Sequence, residues 1–156
     1  MYRRCGQYLG FTLIELVTTL AIAGFLVVSV VPQVRSSIIE HRILSLLALF
    51  KADLEWARNQ ALSTNQRVTI SLSSNTSCLW TTSINATTLE THKMTDTELS
   101  KHYAGVSCAF TGSSPVFNGL GLVNTGSLTG VFSSDATIKQ WTLNLLGSGT
   151  IQVKTQ

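Results

Sequence analysis

The sequence predicts an α+β protein, one long N-terminal helix packed on a small antiparallel β domain. Three observations predict it. Residues Phe11 to Val31 form an apolar run of 21 residues in which Glu15 is the only charged one. From Ile39 to Ala61 apolar residues recur at helical spacing. From residue 64 onward the pattern changes to short alternating runs broken by Ser, Thr, Asn and Gly.

The apolar run comes first. As a helix it is about 31 Å long, enough to cross a bilayer core of roughly 30 Å. A lone carboxylate in the first turns of such a span costs on the order of 2.5–3.5 kcal/mol, so Glu15 is expected to have a partner. Cutting the chain between Gly10 and Phe11 would create one, the new amine of Phe11. Arg3 and Arg4 hold the leader on the cytoplasmic side, so the bulk of the chain faces the other side. The expected division is therefore a removable leader at 1–10, a membrane-spanning segment at 11–31, an amphipathic continuation at 32–63, and an extracytoplasmic β-rich domain at 64–156. A secretory signal fits poorly. Its apolar core would be shorter, and Val30-Val31-Pro32-Gln33 is a poor cleavage site. A lipoprotein signal also fails, because Cys5 precedes the apolar run.

The continuation carries Ile39, Ile43, Leu47, Phe50, Leu54, Ala57 and Ala61 at steps of three and four, which is one face of a helix. Glu40, Arg42, Lys51, Asp53, Glu55 and Arg58 are expected mostly on other faces. Together with the span this makes one helix of about 50 residues, bent near Pro32 where an amide donor is lost. A coiled-coil dimer would use the same stripe. Packing in cis is favoured, because the β domain that follows needs a helix to cover it.

In the β region Val68–Leu72, Cys78–Thr82, Val106–Phe110, Ile138–Leu145 and Thr150–Val153 read as strands. Gly147-Ser148-Gly149 turns between the last two. Asn85–Lys101 is polar and reads as a loop with a short strand. Cys78 and Cys108 are a pair in an oxidising compartment, so a disulfide is the default expectation. A metal site needs more ligands, and His92 and His102 do not complete a zinc spacing. Both read as solvated, and no Ser, His and acid trio stands out, so the chain does not read as an enzyme.

Charge excludes other classes. Eleven basic residues, less Arg3 and Arg4 of the leader, leave nine against eight acidic ones, a net of +1. No basic run draws nucleic acid or anionic lipid. No phosphate loop or dinucleotide fingerprint is present, and no cofactor or small-molecule substrate is implied.

The string Gly10-Phe11-Thr12-Leu13-Ile14-Glu15-Leu16 resembles the class III signal of type IV pilins and type II secretion pseudopilins. Pro32 matches a proline this family commonly carries. The resemblance implies a prepilin peptidase as partner, cleavage after Gly10, N-methylation of Phe11, and Glu15 as the assembly carboxylate. Leu54 to Leu62 is similar to the Ala-Arg-x-x-Ala pattern of the GspH/FimT group, and Val116 to Gly121 resembles its Phe-x-x-x-Gly signature. Trp56 in the first of these reads as a packing or interface residue. A minor pilin or pseudopilin is thus implied: structural, inserted in the bacterial inner membrane with its C-terminal domain periplasmic, then built into a filament with other pilins. A type IV pilus and a type II secretion machine both remain open, with Trp56-Ala57-Arg58 and the short C-terminus leaning to the pilus. A DNA-binding role in natural transformation is a further reading. Some FimT proteins use an arginine-bearing motif near the C-terminus, but here the corresponding turn, Gly147 to Thr150, has none. Only Lys139 and Lys154 remain as weak candidate DNA contacts.

Overall fold

The computed structural model describes residues 11–135 and 139–155; within the helix, the side chains of 28–33 lie outside the description. The expected leader, including Gly10, falls outside the described residues. The chain divides into two compact units, Met1–Arg35 and Ser36–Gln156.

One helix, α1 (Leu13–Thr64), runs for 52 residues and contains Pro32. In the first unit every described side chain from Phe11 to Val27 is exposed. Among the described residues no helix is long and apolar enough to cross a membrane. The expected span at 11–31 includes four positions, 28–31, whose side chains are outside that set.

In the second unit α1 supplies the core stripe. Ile43, Leu47, Phe50, Leu54, Ala57 and Ala61 are buried, as the helical spacing requires, and Leu46 joins them. They pack in cis against two four-stranded antiparallel sheets. The first has the order β3-β2-β1-β5, built from β1 (Val68–Leu72), β2 (Trp80–Ile84), β3 (Thr87–Met94) and the short β5 (Val116–Phe117). The second has the order β4-β6-β7-β8, built from β4 (Ser107–Thr111), β6 (Leu128–Ser133), β7 (Trp141–Leu145) and β8 (Ile151–Thr155). Alternation does the sorting: Val68 and Ile70 of β1 point inward, as do Leu128, Gly130 and Phe132 of β6 and Trp141, Leu143 and Leu145 of β7.

Phe50 joins the layers. Its ring lies 4.8 Å from that of Trp80 in the first sheet, and 5.4 and 6.1 Å from those of Phe110 and Phe132 in the second. Such pairs contribute about 0.5–1.5 kcal/mol each beyond area burial.

Three departures from the sequence expectation stand out. Asn85–Lys101 is not a loop. It holds β3, the longest strand, and a short helix α2 (Asp96–His102). A two-residue turn at Asn85 and Ala86, both at positive φ, joins β2 to β3, the backbone twist that hairpins prefer. Thr95 starts α2 with a capping box: its hydroxyl accepts from Glu98 N, and the Glu98 carboxylate accepts from Thr95 N. Second, β6 was not expected at all. Third, β2 begins at Trp80 rather than Cys78, because Leu72 pairs with Trp80 and leaves Cys78 in the preceding loop. The residue expected to open the strand that is β7, Ile138, lies outside the described residues.

Cys78 and Cys108 form a disulfide with an S–S distance of 2.06 Å. Cys78 precedes β2 and Cys108 lies in β4, so the bond ties the first sheet to the second. It closes a separation of 30 residues. The Cys78→Ser, Cys108→Ser double variant is therefore expected to lose about 3–4 kcal/mol of domain stability on the chain-entropy model. Urea unfolding of the purified chain in uncharged detergent measures it. A loss below about 1 kcal/mol would mean that packing alone already constrains that loop.

Candidate functional site

The first unit presents Glu15 among apolar side chains. Thr12 begins the helix, its hydroxyl accepting from Glu15 N at 3.3 Å and its carbonyl from Leu16 N at 3.2 Å. The next two hydroxyls are absorbed by the helix itself. Thr18 donates to Glu15 O at 3.0 Å and Thr19 to Leu16 O at 2.9 Å. This back-bonding makes both threonines compatible with an apolar surrounding. Among the described residues, no hydrogen bond or ion pair engages the Glu15 carboxylate. Its neighbours Leu13 and Ile14 are exposed, and Phe11 is 80% exposed.

The second unit holds a polar cluster that sequence reasoning missed. Asp53 lies on the apolar face of α1, three residues after Phe50 and four before Ala57, and is 4% exposed. One carboxylate oxygen accepts from Trp80 Nε1 at 2.7 Å, and the other meets His92 Nδ1 at 2.8 Å. The His92 ring stacks on Trp56, with centroids 3.9 Å apart and planes at 20°. Two expectations are corrected here. Asp53 does not sit on a solvent face, and His92 is half-buried and bonded rather than solvated. The signal was in the spacing, since steps of three and four from Phe50 and Ala57 place residue 53 on the stripe. What the cluster does is structural: it fastens the β2–β3 hairpin to α1 through one buried carboxylate.

The Ala-Arg-x-x-Ala segment acts at the next turn. Ala57 and Ala61 are fully buried. Arg58 Nε donates to Gly121 O at 3.3 Å. Gly121 and Gly149 have φ of 71° and 76°, where glycine alone carries no strain. A Cβ on Gly149 would lie 2.3 Å from Gly121 O and 2.8 Å from Arg58 Nε. The Phe-x-x-x-Gly segment and the β7–β8 turn thus meet over Arg58. Phe117, which opens that segment, is fully buried.

The two lysines considered for DNA are separated in role. Lys139 pairs with Glu40 at 2.9 Å. Lys154 sits exposed on the edge strand β8. His102 is exposed and lies edge-on to Tyr103. Among the described residues no group of three His, Cys, Asp or Glu is placed to hold a metal ion.

A long helix sealed against antiparallel sheets, with an apolar N-terminal segment bearing one carboxylate, defines a pilin-like protein. The model of the family described as type II transport protein GspH matches residues 48–149. The chain belongs to this family. The crystal structure of the type IV minor pilin FimU of Pseudomonas aeruginosa strain PAO1 is similar in fold, with a TM-score of 0.56 and 16% identity over 71% of this chain and 91% of that one. No curated protein sequence matches the chain.

Removing the Asp53 carboxylate should unfasten the hairpin. Asp53→Ala strands Trp80 Nε1 in the interior and leaves half-buried His92 without its partner, and is expected to cost about 2–4 kcal/mol, with Asp53→Asn costing less because its amide oxygen still accepts from Trp80. Thermal unfolding followed by tryptophan fluorescence reads both. Equal stability of Asp53→Ala and wild type would show that the cluster does not hold the hairpin.

Proposed function

We propose that the chain is a structural subunit of a type IV pilus or pilus-like filament. It is made with a leader, cut after Gly10 by a prepilin peptidase, methylated at Phe11, and held in the inner membrane by residues 11–31 until it assembles. The carrying observation is the single carboxylate of Glu15 in the otherwise apolar run from Phe11 to Val31, on the same helix that covers the β domain. Membership of the GspH family and the minor-pilin fold support incorporation among other pilins.

The logic is electrostatic. Before cleavage the amine of Phe11 does not exist. In the membrane, Glu15 lies near the cytoplasmic interface, where water or its own amine reaches it. In a filament the helix is packed among other helices, away from headgroups. An unpaired carboxylate is costly there, and the Phe11 amine of a neighbouring subunit offsets that cost. The role is one of scaffold and contact, not of chemistry on a substrate.

A second reading, a pseudopilin of the type II secretion machine, is favoured by the description of the matching family. The Trp56-Ala57-Arg58 segment leans the other way, toward the pilus. DNA binding is not part of the proposal, because Lys139 is committed to Glu40 and Lys154 alone supplies too few phosphate contacts.

Glu15→Val is expected to enter the membrane and to be cut after Gly10, yet to reach filaments poorly. Glu15→Gln should fall between it and wild type. Fractionating membranes from sheared filaments measures incorporation, and mass spectrometry of the mature chain should find methyl-phenylalanine at its start. Incorporation of Glu15→Val at the wild-type level, or an intact Met1 in filaments, would refute the reading.

A further inference from the structure

Two stretches of the chain carry the pattern Asn-x-Ser/Thr, Asn75-Thr76-Ser77 and Asn85-Ala86-Thr87. An asparagine two residues ahead of a hydroxyl is the acceptor pattern for an N-linked saccharide in exported proteins. The pattern alone arises readily in a domain rich in Ser, Thr and Asn, so its surroundings have to decide. The first triplet is closed. Asn75 O accepts from Phe110 N at 2.7 Å, Thr76 N donates to Ser74 Oγ at 3.2 Å, and the residue that follows, Cys78, is held by the disulfide. The Ser77 hydroxyl is buried. A transferase reaches it only by undoing that turn.

The second triplet is open. Asn85, Ala86 and Thr87 are all exposed at the tip of the β2–β3 hairpin. Among the described residues, neither the side-chain amide of Asn85 nor the hydroxyl of Thr87 makes a hydrogen bond. Asn85 has φ of 47°, a conformation asparagine tolerates, whereas Ala86 at 69° is strained. Opening the turn around Asn85 therefore relieves strain, while His92 keeps the far end of β3 fastened to Asp53. There is also room beside the tip. Arg67, Thr69, Ser83, Asn85 and Ala86 line an open recess of about 650 Å³, and Thr69 faces Ser83 across β1 and β2. These side chains supply hydrogen-bond donors and acceptors with no carboxylate among them, which suits the hydroxyls of a sugar.

We propose that Asn85 is a site of N-linked glycosylation. The step takes a saccharide activated at C1 as a diphosphate ester and a transferase that grips the Thr87 hydroxyl. Asn85 Nδ2 forms the bond to C1 and gives up one proton to the transferase. The bond from C1 to the diphosphate oxygen breaks, and the diphosphate leaves with the electron pair. Nothing is oxidised or reduced. The proposal does not depend on the filament reading.

The test uses the full chain, purified in detergent from the cells that produce it. Trypsin cuts after Arg67 and Lys93, so one reduced peptide, residues 68–93, carries both triplets. Electron-transfer fragmentation then places any added mass on a single residue. The expected result is an added mass of whole sugar units on Asn85, with Asn75 bare. Asn85→Asp, which tolerates the same backbone conformation, and Thr87→Ala should both lose that mass. Thr87→Ser and Asn75→Gln should both keep it. Serine and alanine differ at position 87 by one exposed hydroxyl, so loss in Thr87→Ala with retention in Thr87→Ser is not a folding effect. An unmodified Asn85, sugar on Asn75 or on a hydroxyl instead, or sugar that survives Thr87→Ala would overturn the proposal.

Discussion

One helix has to seal two sheets at once. Each four-stranded sheet has an apolar inner face and no second layer of its own, so both depend on the stripe from Ile43 to Ala61. That constraint fixes the side chains of the stripe. Phe50 is large because it must reach Trp80 on one side and Phe110 and Phe132 on the other. Ala57 and Ala61 continue the stripe as small, fully buried side chains. Replacing large by small at Phe50 would open a shared void under both sheets, and neither sheet alone could collapse to fill it.

A seam between two sheets under a single helix is prone to slip, and two different bonds oppose this. The disulfide joins the loop before β2 to β4 covalently. The Asp53 carboxylate joins α1 to β2 and β3 through Trp80 and His92. A buried carboxylate is a poor choice for bulk stability, since an apolar residue of similar volume often does as well. Its value is directional. Trp80 Nε1 and His92 Nδ1 are satisfied only in one register of hairpin against helix, so the cluster penalises sliding in a way that leucine could not. The β2–β3 pairing changes register between Thr81 and Ser83, and His92 lies in the stretch of β3 where it does so.

The helix was legible in the sequence because its periodicity is strong and its stripe is nearly all apolar. β1 and the disulfide were legible for similar local reasons. β3 was not, because its inward positions include His92 and its outward ones are Thr, Glu and Lys, so neither face alternates by hydropathy. The signal for α2 was present in Thr95 and Glu98, three residues apart, but a seven-residue helix with no buried residue leaves no apolar pattern to confirm it. β6 was hidden by Gly130, which interrupts Leu128 to Ser133. The structure gives that glycine a reason, since a Cβ there would lie 2.9 Å from the Phe110 ring. The Asp53 cluster was missed because Asp53 was grouped with the charged residues expected mostly on other faces, although its spacing placed it on the stripe. Polar residues that serve tertiary contacts look like loop or surface in a one-dimensional reading.

The same helix is used in two physically different ways, and the charge distribution separates them. From Phe11 to Val31 apolar residues surround the helix on every side; from Ile39 onward they occupy one face, and the charged residues lie on the others except Asp53, which is buried on the stripe. The first segment therefore cannot be satisfied by a single sheet packed on one side. It needs apolar surroundings all round, which a bilayer or a bundle of like helices supplies and a small β domain does not. Thr18 and Thr19 are already bonded to their own helix, which leaves the Glu15 carboxylate as the group that tells these two surroundings apart. Under the proposed function, the membrane leaves it to water or its own Phe11 amine near the cytoplasmic interface, whereas a neighbouring helix beginning at Phe11 offers an amine inside the bundle. Under the proposed function, a helix that is otherwise indifferent between membrane and bundle acquires through one carboxylate a preference for the bundle, and only once its neighbours have been cut to expose that amine. On that reading, cleavage, the position of the charge and the order of assembly are linked by one electrostatic requirement.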